Sequence, residues 1–174
     1  MPTSEDHLKQ LAIALGSGAL GALLLKNHYD ESRKSEAEKD DPESVKYVCE
    51  VIGELLEEWT PGERETEDQY TASLYHYLNR ELDETDLDID LDVEMQPSTD
   101  NGCPDILIND MLALELKVNP NKAERDRLIG QCSGYSRQWV TWAILIDSPI
   151  HEVGELERLL AAKNLHYIEV IPYS

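Results

Sequence analysis

The sequence predicts an α/β fold: a mixed β-sheet flanked by helices, preceded by a separate apolar helix at the N-terminus. Three observations predict it. Apolar residues recur at helical spacing across residues 45–78 and then switch to strict alternation across residues 86–95. The predicted elements follow the order ααβββαβαβ, a strand-rich stretch leading into strand–helix–strand alternation. Residues 140–147 are almost continuously apolar, as befits a central strand covered on both faces.

Composition bounds what this fold does. The 174 residues carry 36 Asp and Glu against 15 Lys and Arg, a formal charge of −21. That charge repels phosphates and argues against a protein that grips nucleic acid by bulk electrostatics. It is the composition expected of a halophilic protein, because molar salt screens like-charge repulsion beyond about 3 Å. A hydrophobic fraction of 41% suits one domain with a real core rather than a disordered chain. The cysteines, Cys49, Cys103 and Cys132, are widely spaced without a C-x-x-C pair, so neither a zinc ribbon nor a disulfide framework is expected. A reduced, cytoplasmic setting follows. The five histidines lack metal-ligand spacing.

The elements follow in order. Residues 11–25 read LAIALGSGALGALLL, uncharged from Leu11 to the end and flanked by Lys9 and Lys26. As a helix this segment reaches about 22 Å, short of the roughly 30 Å hydrocarbon core. The flanking lysines would snorkel, and Ala14, Gly18 and Ala22 repeat small residues every four positions, a spacing that lets membrane helices approach closely. Residues 1–26 are therefore read either as a helix anchoring the chain to the inner face of the membrane or as a soluble helix that packs or self-associates. Glu5 and Asp6 fit a cleaved signal poorly.

Residues 27–41 are mixed charge without apolar period and read as an exposed linker to a domain spanning 42–174. Asp41-Pro42 resembles an N-cap with proline at the first helical position, and Val45, Val48, Ile52, Leu55, Leu56 and Trp59 form the inward stripe. Thr60-Pro61-Gly62 ends that helix. A second helix opens at Thr66 with Gln69 three residues on, in capping-box form, and buries Tyr70, Leu74, Tyr77 and Leu78. Residues 86–95, DLDIDLDVEM, predict a half-buried strand with a carboxylate face turned to solvent. An EF-hand reading fails because Leu91 sits where the loop needs glycine. Two short strands, 105–108 and 112–118, are joined at Asn109-Asp110. A helix over 121–137, the central strand 140–147, a helix after Ser148-Pro149 with Val153, Leu156, Leu159 and Leu160 inward, and a strand over 165–171 complete the chain.

The chemistry concentrates between Pro104 and Lys117. In the strand 112–118 Leu112, Leu114, Leu116 and Val118 share one face, so Ala113, Glu115 and Lys117 share the other. A three-residue loop, Asn109 to Met111, pairs Ile108 with Leu112 and sets Asp105 opposite Glu115. Their Cβ atoms then lie about 5 Å apart. Two carboxylates at that range repel, and burial raises a carboxyl pKa further. A hard divalent cation with oxygen ligands relieves the repulsion, and Mg²⁺ is such a cation. Lys117, on the same face, would meet a polarised water or a phosphate oxygen. A two-residue turn would instead put Asp105 and Glu115 on opposite faces.

Pro104-Asp105, nine intervening residues and Glu115-Leu116-Lys117 resemble the motif of the PD-(D/E)XK nuclease superfamily, with its restriction-endonuclease-like αβββαβ core. Gln131-Cys-Ser-Gly-Tyr135 resembles the Q-x-x-x-Y pattern that follows the lysine strand in many members, and Glu67 sits on the helix where such proteins often place a further glutamate. The resemblance covers about residues 63–147. It implies that Asp105, Glu115 and the Leu116 backbone carbonyl hold Mg²⁺ or Mn²⁺. It further implies that Lys117 orients the attacking water or offsets transition-state charge, that Glu67 adds a supporting or second-metal carboxylate, and that Gln131 braces the site or contacts the substrate backbone.

The function this implies is a divalent-metal-dependent nuclease hydrolysing DNA phosphodiesters. Tyr135, Lys122, Arg125 and Arg127 are the expected substrate contacts, three cations within one and a half helical turns beside the site. Cutting both strands would favour a homodimer. The competing reading is a catalytically inactive nuclease-like domain for binding or assembly, tethered at a membrane through residues 11–25 or acting within a larger complex.

Overall fold

The computed structural model describes residues 42–85, 90–165 and 168–173. The apolar segment 11–25, the linker 27–41 and the first part of the acidic strand, 86–89, lie outside the described residues. Among the described residues no helix is long and apolar enough to cross a membrane.

The domain is α/β, with a five-stranded mixed sheet in the order β1-β2-β3-β4-β5 and four helices. Helices α1 (Pro42–Glu58) and α2 (Glu67–Glu84) lead into β1 (Val93–Met95), β2 (Ile106–Ile108) and β3 (Leu112–Val118). Helix α3 (Lys122–Tyr135), β4 (Val140–Ile146), α4 (Ile150–Ala162) and β5 (Glu169–Tyr173) follow. Neighbours β1–β2 and β2–β3 are antiparallel, while β3–β4 and β4–β5 are parallel. Two crossovers stepping the same way across a sheet place their helices on one face when both are right-handed. Accordingly Leu128, Ile129 and Cys132 of α3 and Val153, Leu156 and Leu160 of α4 share one core with Ala143 and Leu145 of β4. On the opposite face a Cβ at Gly53 of α1 would lie 3.7 Å from the Trp142 ring. The Tyr77 hydroxyl of α2 donates to the Leu55 carbonyl of α1 (2.9 Å), and that pair of helices covers the second face. Every residue of β4 is buried, as its continuous apolar run requires.

Local signals explain the boundaries near the site. Thr66 caps α2 by accepting from the Gln69 amide (3.3 Å), but Gln69 reaches back to the Glu65 amide (2.9 Å) instead of closing the reciprocal box on Thr66. Asn121 and Glu124 form the full box on α3. Asn109 and Asp110 both take left-handed backbone (φ 50 and 52), a conformation their short polar side chains tolerate. Met111 then stands as the extra residue that keeps Ile108 opposite Leu112 and Ile106 opposite Leu114. Trp139 Nε1 donates to Asp110 Oδ1 (2.7 Å) and holds that turn.

Three expectations are corrected. The described part of the acidic strand forms sheet only over Val93–Met95, because the Asn109 side chain, not a strand partner, accepts from the Asp92 amide (2.6 Å) and donates to the Asp90 carbonyl (3.2 Å). Met95, expected inward, is 44% exposed at the end of that edge strand. The last strand runs Glu169–Tyr173 rather than 165–171, since Leu165 and Ile168 pack into the α3–α4 core.

Candidate functional site

The β2–β3 register, extended one step, sets Asp105 opposite Glu115 at the start of β2. Asp105 Oδ2 accepts from the Leu116 amide at 2.7 Å, a contact across the strand pair that fixes the carboxylate against β3. Glu115 and Lys117 share their strand's other face, almost fully buried at 1% and 5% exposure. Lys117 Nζ donates to Leu116 O (2.6 Å), Glu67 Oε1 (2.7 Å) and Glu115 Oε1 (3.1 Å), so α2 delivers Glu67 to the lysine from its first residue. Glu115 Oε2 is buried and lacks a hydrogen-bond partner among the described residues, and so is Gln131 Oε1 on α3.

The electrostatics follow from three carboxylates around one ammonium. Burial first, then the neighbouring Asp105 charge, raises Glu115 to about 7 even though Lys117 pulls the other way. Burial likewise raises Asp105, against the Leu116 hydrogen bond and Lys117. For Lys117 burial acts downward, but Glu115, Glu67 and Asp105 together more than offset it and its pKa ends above the usual value. A partnered acid normally titrates low; at both carboxyls here burial outweighs the pull of Lys117.

The oxygens gathered here are of the chemical kind a hard cation takes. Among the described residues no three His, Cys, Asp and Glu side chains stand together as a ready metal cage. Mg²⁺ does not require one: it binds through one or two carboxylates and keeps water or substrate oxygens for the rest. Asp105, Glu115 with its unpartnered oxygen, and the Leu116 carbonyl form a donor set of that kind.

Two of the expected substrate contacts are corrected. Arg125 is buried rather than free for phosphate: its guanidinium donates to the Pro120 carbonyl and to Glu152 Oε2, both at 2.8 Å, with Glu155 at 3.7 Å, and so ties α3 to α4. Tyr135 is buried at 4%, its hydroxyl donating to the Cys103 carbonyl (3.0 Å). Its ring lies against Gly102, where an added Cβ would sit 2.9 Å from it. Burial, with Glu115 second, raises its phenol to about 12, so the donor keeps its proton. Tyr135 thus braces the loop that carries Asp105. Lys122 and Arg127 are exposed on α3, as expected of solvent-facing cations. The signal missed in Arg125 is its spacing: on α3 it falls in line with buried Leu128, Ile129 and Cys132, not with Lys122.

Compared with protein-family models, curated proteins and solved structures, the chain matches none.

Proposed function

We propose that this domain is a divalent-metal-dependent nuclease of the restriction-endonuclease-like type, hydrolysing phosphodiester bonds of DNA. The observation that carries the reading is the meeting of Asp105 and Glu115 from adjoining strands, both with raised pKa, beside Lys117 and an unpartnered Glu115 oxygen. Asp105, Glu115 and the Leu116 carbonyl would hold Mg²⁺ or Mn²⁺. A cation bound there supplies Lewis acidity toward a phosphoryl oxygen and lowers the pKa of a coordinated water. Asp105 is kept in place by the Leu116 amide, and the loop before it by Tyr135. Lys117, charged and bonded to Glu67, would offset negative charge developing on the phosphoryl group. Gln131 presents a buried carbonyl oxygen from α3, in reach of a role as acceptor for a bound water. Exposed Lys122 and Arg127 would meet the nucleic-acid backbone, and residues 11–25 would hold the domain at the membrane's inner face.

One observation favours a catalytically silent binding module instead: every Lys117 hydrogen already has an acceptor within the chain. Titrating the full chain with Mg²⁺ or Mn²⁺ in molar KCl, while following thermal stability and plasmid nicking together, separates the two readings. The nuclease reading expects stabilisation and nicking that both disappear in Asp105→Ala. Stabilisation without nicking selects the silent module, and neither effect in the wild type removes the metal site.

A further inference from the structure

Lys117 stands where a cation would. Its ammonium has three hydrogens and three acceptors, Leu116 O, Glu67 Oε1 and Glu115 Oε1. Two of these, the Leu116 carbonyl and Glu115, are donors that the metal-site reading assigns to the divalent ion. An ammonium and a divalent cation repel strongly at the separation these shared oxygens impose. Glu67 differs in kind from the other two acceptors. It arrives from the N-terminus of α2, and its side chain is 39% exposed against 2% for Glu115. It also spends its Oε1 on the lysine at the shorter of the two ion-pair distances, 2.7 Å against 3.1 Å.

We infer that Lys117 and the divalent cation compete for Glu115 and the Leu116 carbonyl, and that Glu67 is the dock that retains the lysine when the cation enters. Glu67 is then a positioning residue acting through Lys117, not a ligand. The inference rests on the metal-site reading above. It has a chemical consequence: the displaced ammonium stays within one hydrogen bond of Glu67, beside the site, where its charge remains available to a phosphate. Without the dock the lysine would fall back onto Glu115 and oppose the cation.

The test is a double-mutant cycle read by calorimetric titration with Mn²⁺ alone, on the full chain without substrate. About 1 M KCl in the buffer screens an exposed carboxylate that touches no metal. Lys117→Met is expected to tighten Mn²⁺ about tenfold, because the competitor is gone. Glu67→Gln is expected to weaken Mn²⁺ about fivefold in the wild-type background and by less than about twofold in Lys117→Met, since there is no lysine left to hold. Equal weakening in both backgrounds would make Glu67 a ligand in its own right and overturn the inference. So would unchanged or weaker binding in Lys117→Met. Mn²⁺ binding that survives Asp105→Ala would instead bring down the metal-site reading beneath it. Should Lys117→Met fold only with metal, Lys117→Gln repeats the cycle, and unfolding midpoints against Mn²⁺ concentration yield the same affinities.

Discussion

Two buried cations in this domain are each held by two glutamates, yet they belong to different kinds of site. Arg125 meets Glu152 and Glu155 between α3 and α4, with the Pro120 carbonyl taking a further hydrogen. Lys117 meets Glu67 and Glu115, but Asp105 stands beside them and Glu115 Oε2 is left without a partner among the described residues. The arginine cluster opens toward solvent through its glutamates, with side-chain exposures of 25% and 50%, which ease their unbalanced charge. The lysine cluster exposes Glu67 at 39% but buries Glu115 at 2%, so the relief stops short of its inner glutamate. The first cluster joins two helices; the second leaves a buried carboxylate oxygen without a partner among the described residues, the oxygen that the proposed metal site would use.

The sharpest way to break this comparison is Asp105→Ala, expected to lower metal-dependent cleavage by about a thousandfold or more while leaving the fold intact. The matching change in the other cluster, Arg125→Ala, should do the reverse. It is expected to cost roughly 2 kcal/mol in urea unfolding, below the figure for a fully buried pair because both glutamates reach water, with metal affinity unchanged. A loss of metal binding in Arg125→Ala would merge the two clusters into one system.

Next in size is a pH effect. Glu115 ionises at 4.5 in an ordinary setting and at about 7 here. The metal-free folded state therefore keeps a proton that the unfolded chain has already released. Stability from this group falls as pH rises from about 4.5 to about 7, and the penalty is complete above that. Glu115→Gln should flatten the dependence and raise the unfolding midpoint of chelated protein by roughly 4 °C at about pH 8. The general relief of like-charge repulsion on acidification has the same sign, so the difference between the two proteins, not either curve alone, is the measurement.

Tyr135→Phe removes the hydroxyl that braces the Cys103 carbonyl, and is expected to cost about 1 kcal/mol with a several-fold slower cleavage. A change in substrate KM with kcat intact would return Tyr135 to the substrate surface. Smallest is the pair Lys122→Ala and Arg127→Ala, exposed on α3, expected to leave stability within about 0.5 kcal/mol and to raise KM about threefold with a shallower salt dependence.

The site's principal pairing was legible because strand geometry has a period of two. Once Ile108 pairs with Leu112, the faces of Asp105, Glu115 and Lys117 follow from parity alone, and the left-handed Asn109-Asp110 turn with Met111 supplies the required loop. Helix cations were not legible in the same way. Lys122, Arg125 and Arg127 look alike as a local basic cluster, but one hundred degrees of rotation per residue sends Arg125 inward with Leu128 and Cys132 and leaves the others in water. Gln131 and Tyr135, one turn apart, were expected to act at the site; Tyr135 hydrogen-bonds the Cys103 carbonyl, and Gln131 keeps a buried oxygen without a partner among the described residues.

By itself, then, the sequence determined the α/β class, the order of elements and the faces of the strand over 112–118, because hydrophobic periodicity and turn chemistry are local. Only the tertiary structure decided which charges meet. Glu67 lies 50 positions from Lys117 along the chain and 2.7 Å from it in space. Arg125 is removed from the surface by glutamates on another helix. Both outcomes depend on how helices settle onto a finished sheet, where burial and partner count fix the worth of each charge, and neither quantity is written in local spacing.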